Sequence, residues 1–247
     1  VDPGDPSEWR YDQGEIAGER LHGRGAADAK GPLSAMVAAF EGLVSSGMPL
    51  SGKLILMAVG REEEDGLGTY EEIRAGTRAE AAIVGEPTQL SICRAHKGVL
   101  RYDIRTSGRA AHASRPDEGI NAIAKTGRVI LTMDRLARRV SRIRNPLLGR
   151  ASMAMTLIAG GVADNVIPPQ CRLTLDRRFL PEERTEDIQG QIESALQELR
   201  KEDEEIQLEL LESHRANAAI TPEEAEIVQT ALKCRRDVLN DDAGASG

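Results

Sequence analysis

The sequence predicts an α/β protein: a mixed sheet with helices on both faces, interrupted by a second unit of ferredoxin-like βαββαβ order. Three observations predict it. Lys53 to Gly60 (KLILMAVG) and Ala81 to Gly85 (AAIVG) are nearly continuous apolar runs of strand length. Each runs directly into acidic residues, and between turn signals ahead of them lies an amphipathic helical repeat. From about residue 95 the apolar pattern changes to alternation, which marks half-buried strands rather than fully covered ones.

In chain order, the opening Val1-Asp2-Pro3-Gly4-Asp5-Pro6 is turn-rich. Leu33, Met36, Val37, Phe40, Leu43 and Val44 then recur at helical spacing, and Gly47 followed by Pro49 stops the helix. The two apolar runs follow as buried strands of a largely parallel sheet, whose ligands sit beyond the strand carboxyl ends, where Glu62, Glu63 and Glu86 fall. Val99 to Ser107 alternates with Leu100, Tyr102 and Ile104 on one face, and Ile120 to about Arg139 is helical. Met153 to Ile158 and Cys171 to Leu175 read as strands around Gly160-Gly161 and Pro168-Pro169. A helix from about Pro181 to Leu199 and a strand Ile206 to Leu210 complete a split βαβ unit that closes on itself. Pro222 to about Leu239 is a last helix, with Thr221 as N-cap and Pro222 at its first position. The organisation expected is a first domain over 1–94, an inserted one over 95–212, and a return to the first over 213–247.

The chain has 247 residues and 40% hydrophobic content, enough for real cores. With 32 Lys and Arg against 40 Asp and Glu, the net charge of -8 argues against a nucleic-acid or anionic-membrane partner. An acidic chain with only 2% aromatic residues would also suit a salt-rich cytoplasm. Cys93, Cys171 and Cys234 are odd in number and far apart, the pattern of reduced intracellular thiols. No apolar segment is long enough to span a bilayer and no signal sequence opens the chain, so a cytoplasmic location is expected. Neither end carries a capping element, and the sequence reads as a fragment.

Three acidic sites recur in order: Asp28 in the turn Gly23-Arg24-Gly25-Ala26-Ala27-Asp28-Ala29-Lys30-Gly31, the run Glu62 to Asp65, and Glu86 in Gly85-Glu86-Pro87-Thr88. Adjacent carboxylates at strand ends can divide metal binding and proton transfer between them. Each has a plainer reading. Asp28 could simply favour the dipole of the helix that follows, and the acidic run could be a solvated loop. Position favours the metal reading, because acids crowded after a buried strand are relieved by a cation or by a retained proton.

Together with the AAHAS stretch and its following Pro, Gly and Asn-Ala-Ile between Ala110 and Ile123, and with Gly160 to Pro168, these motifs resemble the acetylornithine deacetylase / succinyl-diaminopimelate desuccinylase family of zinc metallopeptidases, which includes carboxypeptidase G and aminoacylase. The resemblance spans almost the whole chain. It implies a zinc-peptidase-like mixed sheet carrying an inserted dimerisation and lid domain. It further implies two zinc ions per subunit, with cobalt or manganese as alternatives, bridged by Asp28 and held also by Glu63 and Glu86. Glu62 becomes the general base, with a Glu63 and Glu64 pair as the other register. His112 resembles the histidine that reaches a partner subunit's scissile carbonyl, where an imidazole hydrogen bond stabilises the oxyanion. Asn165 and Arg178 resemble residues that hold the substrate carboxylate, a task suited to the planar Arg fork, and Arg177 is the alternative. His22, His96 and His214 are read as locally satisfied.

Two departures stand out. Family members carry a His-any-Asp motif upstream of the stretch matching Val1 to Trp9 and a liganding His beyond the stretch matching Gly244 to Gly247. Neither is in this sequence, which leaves each metal one imidazole short. The expected activity is removal of the acyl group from an N-acyl amino acid or dipeptide-like substrate by a homodimer, in amino-acid biosynthesis. The rivals are a dipeptidase, aminopeptidase or carboxypeptidase of the same family, and a non-catalytic dimeric binding protein that keeps the fold.

Overall fold

The computed structural model describes residues 4–240 and 244–247, which form two compact units divided between Ser91 and Ile92. The first contains a two-stranded antiparallel hairpin, β1 (Ile16–Ala17) with β2 (Arg20–Leu21), and two helices, α1 (Gly31–Ser46) and α2 (Leu67–Arg74). Helix α1 runs where the apolar spacing predicted and ends at Gly47, whose left-handed φ of 63° returns its N–H to the Val44 carbonyl.

The strand reading of Lys53 to Gly60 and Ala81 to Gly85 is corrected. Neither run joins a ladder among the described residues, and Leu54, Ile55, Ile83 and Val84 stay exposed. An apolar run has the composition of a strand, but it becomes one only when a second backbone takes up its N–H and C=O groups. No residue between 4 and 91 is buried.

The second unit holds the core. It runs β3 (Ala95–His96), β4 (Gly98–Ser107), β5 (Ala111–His112), α3 (Ala122–Val140), β6 (Arg144–Asn145), β7 (Gly149–Arg150), β8 (Ser152–Gly160), β9 (Val166–Ile167), β10 (Gln170–Phe179), α4 (Thr185–Glu202), β11 (Gln207–Ala216), β12 (Ala219–Ile220) and α5 (Glu226–Leu239). The long strands form one antiparallel sheet in the order β11-β4-β10-β8, and with α3 and α4 they give the expected βαββαβ order. The alternation in β4 is as read: Leu100, Tyr102 and Ile104 are all buried. They pack with Val129, Met133 and Leu136 of α3, Leu173 and Leu175 of β10, and Ile192, Leu196 and Leu199 of α4. Asn121 caps α3 by accepting the Ala124 N–H at 3.1 Å.

The last helix begins later than predicted, at Glu226 with Ala225 as its N-cap. Thr221 is committed elsewhere. Its N–H bonds the Arg94 carbonyl at 2.8 Å and its own carbonyl accepts from Arg94 Nη1 at 3.0 Å, so Pro222 begins a turn rather than a helix.

Candidate active site

In the first unit the acidic residues converge. Asp28 lies in the irregular turn Ala26–Lys30 that leads into α1, half-buried. The run Glu62 to Asp65 forms a turn closed by the Gly66 N–H on the Arg61 carbonyl at 2.8 Å, just before α2. Arg61 divides the run: it pairs with Glu64 at 3.4 Å and with Asp65, whose Oδ1 also accepts the Leu67 N–H at 3.1 Å. Among the described residues Glu62 and Glu63 make no ion pair with a Lys or Arg side chain.

A hydrogen bond shared with Asp28, and then the Asp28 charge, raise the Glu63 carboxyl above its ordinary value. Two carboxyl groups in contact must hold a proton between them or a cation beside them. Glu86 follows Gly85, which packs against Pro32 and Met36 of α1. Partial burial of its carboxyl, then the charges of Asp28 and Glu62, push Glu86 upward as well. Asp28 and Glu62 therefore act on both Glu63 and Glu86. Even so, among the described residues no three His, Cys, Asp or Glu side chains stand close enough together to hold a metal ion. The carboxylates supply the negative charge a divalent ion needs but not a complete set of ligands.

His112, Asn165 and Arg178 lie in the second unit. The first two are brought together: β5 pairs with β9, His112 opposite Val166, and the Ala113 N–H bonds the Asn165 carbonyl at 2.9 Å. Both side chains are exposed. The Ser114 backbone N–H donates to His112 Nδ1 at 3.2 Å, and the Ser114 hydroxyl lies 2.8 Å from the same nitrogen. An amide can only donate, so Nδ1 accepts and the ring proton lies on Nε2.

Arg178 is not with them. It sits near the far end of β10, opposite Val99 and Ser152. At about 3.3 Å per residue, that is roughly 26 Å along the strand from Gln170, the end next to β9. Its guanidinium forks onto Asp176, Nε to Oδ1 at 2.7 Å and Nη2 to Oδ2 at 3.3 Å. Burial pushes Asp176 up, but hydrogen bonds from Arg178 and Arg101 outweigh it and hold the carboxyl below the usual range. The alternative, Arg177, is 1% exposed and paired with Glu183, which makes it a core residue rather than a ligand-binding one.

Sequence reasoning missed the surroundings of Asp28. Trp9, Arg10, Tyr11, His22 and Arg24 line a cleft of about 390 Å3 together with it. The His22 ring, read from the sequence as locally satisfied, stacks on Tyr11 at 3.8 Å. The signal was present: two of the chain's six Phe, Trp and Tyr residues lie within three positions, shortly before the glycine turn.

Fold and site describe a two-unit α/β protein with interacting carboxylates in one unit and a helix-covered antiparallel sheet in the other. Residues 94–204 match the peptidase dimerisation domain. An acetylornithine deacetylase of Myxococcus xanthus is 31% identical over 218 residues, covering 85% of this chain and 55% of that protein. One from Proteus mirabilis is 34% identical over 185 residues, covering 72% and 47%. Among solved structures, an M20 family metallo-carboxypeptidase from Sulfolobus solfataricus aligns with a TM-score of 0.73 at 16% identity, over 98% of this chain and 69% of that one. A tripeptidase from Staphylococcus aureus aligns at 0.65 and 16%, over 90% and 57%. The chain belongs to the M20 peptidase family. It spans about half the length of the curated relatives it matches.

Proposed function

We propose that the protein is a divalent-metal-dependent hydrolase that cleaves the amide bond of an N-acyl amino acid, with zinc as the working ion. The observation that carries this reading is the contact between the Asp28 and Glu63 carboxyls with Glu62 and Glu86 within their field, in a chain of this family. Asp28, Glu63 and Glu86 would contribute to holding the ions. A bound divalent ion supplies Lewis acidity to the amide carbonyl. Glu62, unpaired by Arg61, takes a proton from the attacking water and returns it to the leaving amine nitrogen. Nε2–H of His112 donates to the oxyanion as the carbonyl carbon becomes tetrahedral.

The geometry within the second unit supports a homodimer in which sites are shared. His112 and Asn165 lie on one ribbon and Arg178 at the opposite end of the sheet, too far apart to grip one small substrate within a protomer. We infer that the ribbon serves the partner's site and that Arg178 acts apart from it. Strand β8 is a sheet edge with Leu157 and Ile158 exposed, and α3 exposes Ile123 and Leu131, an apolar set suited to a second copy. No helix among the described residues is long and apolar enough to cross a membrane, and the three free cysteines suit a reducing cytoplasm.

The fold neighbours keep a peptide substrate as the second reading. A non-catalytic binding protein is disfavoured because Arg61 neutralises Glu64 and Asp65 while leaving Glu62 available beside Glu63. The test is amine release from a panel of N-acetyl amino acids, N-succinyl amino acids and dipeptides. Glu62→Gln should lower kcat by about 10²–10⁴-fold with little change in KM. Undiminished turnover in that variant would remove Glu62 from the mechanism, and turnover of dipeptides alone would replace the acyl substrate.

A further inference from the structure

The stretch Ala110-Ala111-His112-Ala113-Ser114 sets one imidazole among small residues, in a loop whose backbone is closely tied. Arg109 and Ile120 exchange two backbone hydrogen bonds, each 2.9 Å, which close the ends of the loop, and Arg109 Nε donates to the Glu118 carbonyl at 2.9 Å. The Arg115 N–H returns to the His112 carbonyl at 2.9 Å, and the Gly119 N–H to the Pro116 carbonyl at 3.1 Å. Gly119 lets these turns close on β5, since a Cβ there would lie 2.9 Å from Ile167 Cγ2 and 3.0 Å from Ala111 Cβ. The His112 backbone is thereby held opposite Val166 of β9.

Backbone ties do not fix the ring. The His112 side chain is exposed, so no core packing selects its orientation or the nitrogen that carries its proton. Among the described residues the ring has two partners, and both belong to Ser114. The backbone N–H, 3.2 Å from Nδ1, can only donate. The hydroxyl is closer, at 2.8 Å, and it must donate to the same nitrogen, because a proton on Nδ1 would confront the amide proton.

We propose that Ser114 is a positioning residue: its hydroxyl holds the His112 ring in one orientation and in the Nε2–H tautomer, so that Nε2 always carries the proton donated to the oxyanion. The catalytic consequence rests on the hydrolase reading above, and the tautomer does not. A ring free to exchange would present a bare Nε2, an acceptor, to a developing negative charge for part of the time.

The direct measurement is long-range proton–nitrogen NMR of the 247-residue chain labelled with nitrogen-15 histidine, with no turnover required, at about pH 8.5, well above the ordinary histidine value of about 6.5. The chain has four histidines, and the His112 signals are those missing from His112→Ala. The parent should show the Nε2–H form alone. Ser114→Ala should show both tautomers in exchange, and Ser114→Thr, which restores a hydroxyl, should return the parent pattern. Ser114 is exposed and its side chain bonds nothing else among the described residues, so its removal opens no cavity. A Ser114→Ala spectrum identical to the parent's, or a Thr variant that behaves like the Ala one, would overturn the proposal.

Amine release gives the second readout. Ser114→Ala should lower kcat by about tenfold with KM nearly unchanged, and should cost nothing further in a His112→Ala background, because the hydroxyl acts only through the ring. An equal loss in both backgrounds would make Ser114 a structural residue and overturn its positioning role. The two readouts separate two failures. If Ser114→Ala mixes the tautomers while turnover is undiminished, the oxyanion role of His112 falls and the positioning stands. If His112→Ala halts turnover while Ser114→Ala leaves the tautomer as it was, the positioning alone falls.

Discussion

Glu183→Ala tests how the second unit stores a charge in its core. Arg177 is 1% exposed on β10, and its guanidinium is satisfied by Glu183 and by the carbonyl of Arg178. The other oxygen of Glu183 accepts the Leu180 N–H at 2.9 Å, which ties down the turn between β10 and α4. Burial lowers the Arg177 pKa from its ordinary value, and the Glu183 charge opposes that, so the pair stands or falls together. Removing Glu183 leaves a buried cation with one carbonyl partner, a change that costs about 3–5 kcal/mol. With a urea slope of about 1–3 kcal/mol/M, the unfolding midpoint should fall by roughly 2 M. Circular dichroism is the suitable probe, since Trp9 belongs to the first unit. Arg177→Met/Glu183→Leu, which removes both charges, should return stability to within about 1 kcal/mol of the parent. A Glu183→Ala variant that unfolds within about 1 kcal/mol of the parent, or a double variant no better than the single, would refute the reasoning.

Other consequences follow from single contacts. Gly98→Ala would put a Cβ 2.1 Å from the Phe179 ring, so overpacking should destabilise the unit by about 1–3 kcal/mol in the same urea assay. Phe179→Leu in that background should recover part of the loss. Asp203 is held below its ordinary value by the Lys125 hydrogen bond first, against some burial, and then by Arg128. The unfolded chain regains the ordinary value of 3.8, so it protonates first as pH falls. The resulting stability is therefore present above pH 3.8 and lost as pH drops through the lower folded value, and Asp203→Asn should flatten that part of the pH–stability curve. If His112 acts across a dimer, mixing inactive His112→Ala and Glu62→Gln proteins should restore about a quarter of the parent activity through mixed dimers. No recovery would return His112 to its own protomer.

The second unit was legible because its strands write their burial into alternate residues. Leu100, Tyr102 and Ile104 needed no knowledge of their partners. Strand β10 outruns the predicted end at Leu175 because Asp176, Arg177 and Arg178 look like a charged stop. Arg177 is admitted to the core by Glu183, a partner that no local pattern announces. Strand β11 likewise continues past Leu210 through Glu212 and His214 with a register shift. In the first unit, composition named two strands at 53–60 and 81–85, but pairing is a property of two segments, and those runs have no ladder among the described residues. The acidic positions could be read individually, and Arg61 as the neutraliser of Glu64 and Asp65 could not, since an i,i+3 or i,i+4 pairing in a turn depends on its geometry. The cleft around Trp9 was hidden for a similar reason: His22 meets Tyr11 only once the hairpin folds back.

Asp28, Glu63 and Glu86 are proposed to hold a cation. The most direct measurement is calorimetric titration of the EDTA-stripped chain with zinc at two pH values, beside Asp28→Ala. Zinc is expected to bind with release of a proton from Glu63, whose carboxyl is raised by Asp28, affinity is expected to rise with pH, and Asp28→Ala is expected to abolish both heat and proton release. Identical titrations of the parent and Asp28→Ala, or binding with no proton released at a pH where Glu63 is still protonated, would contradict it.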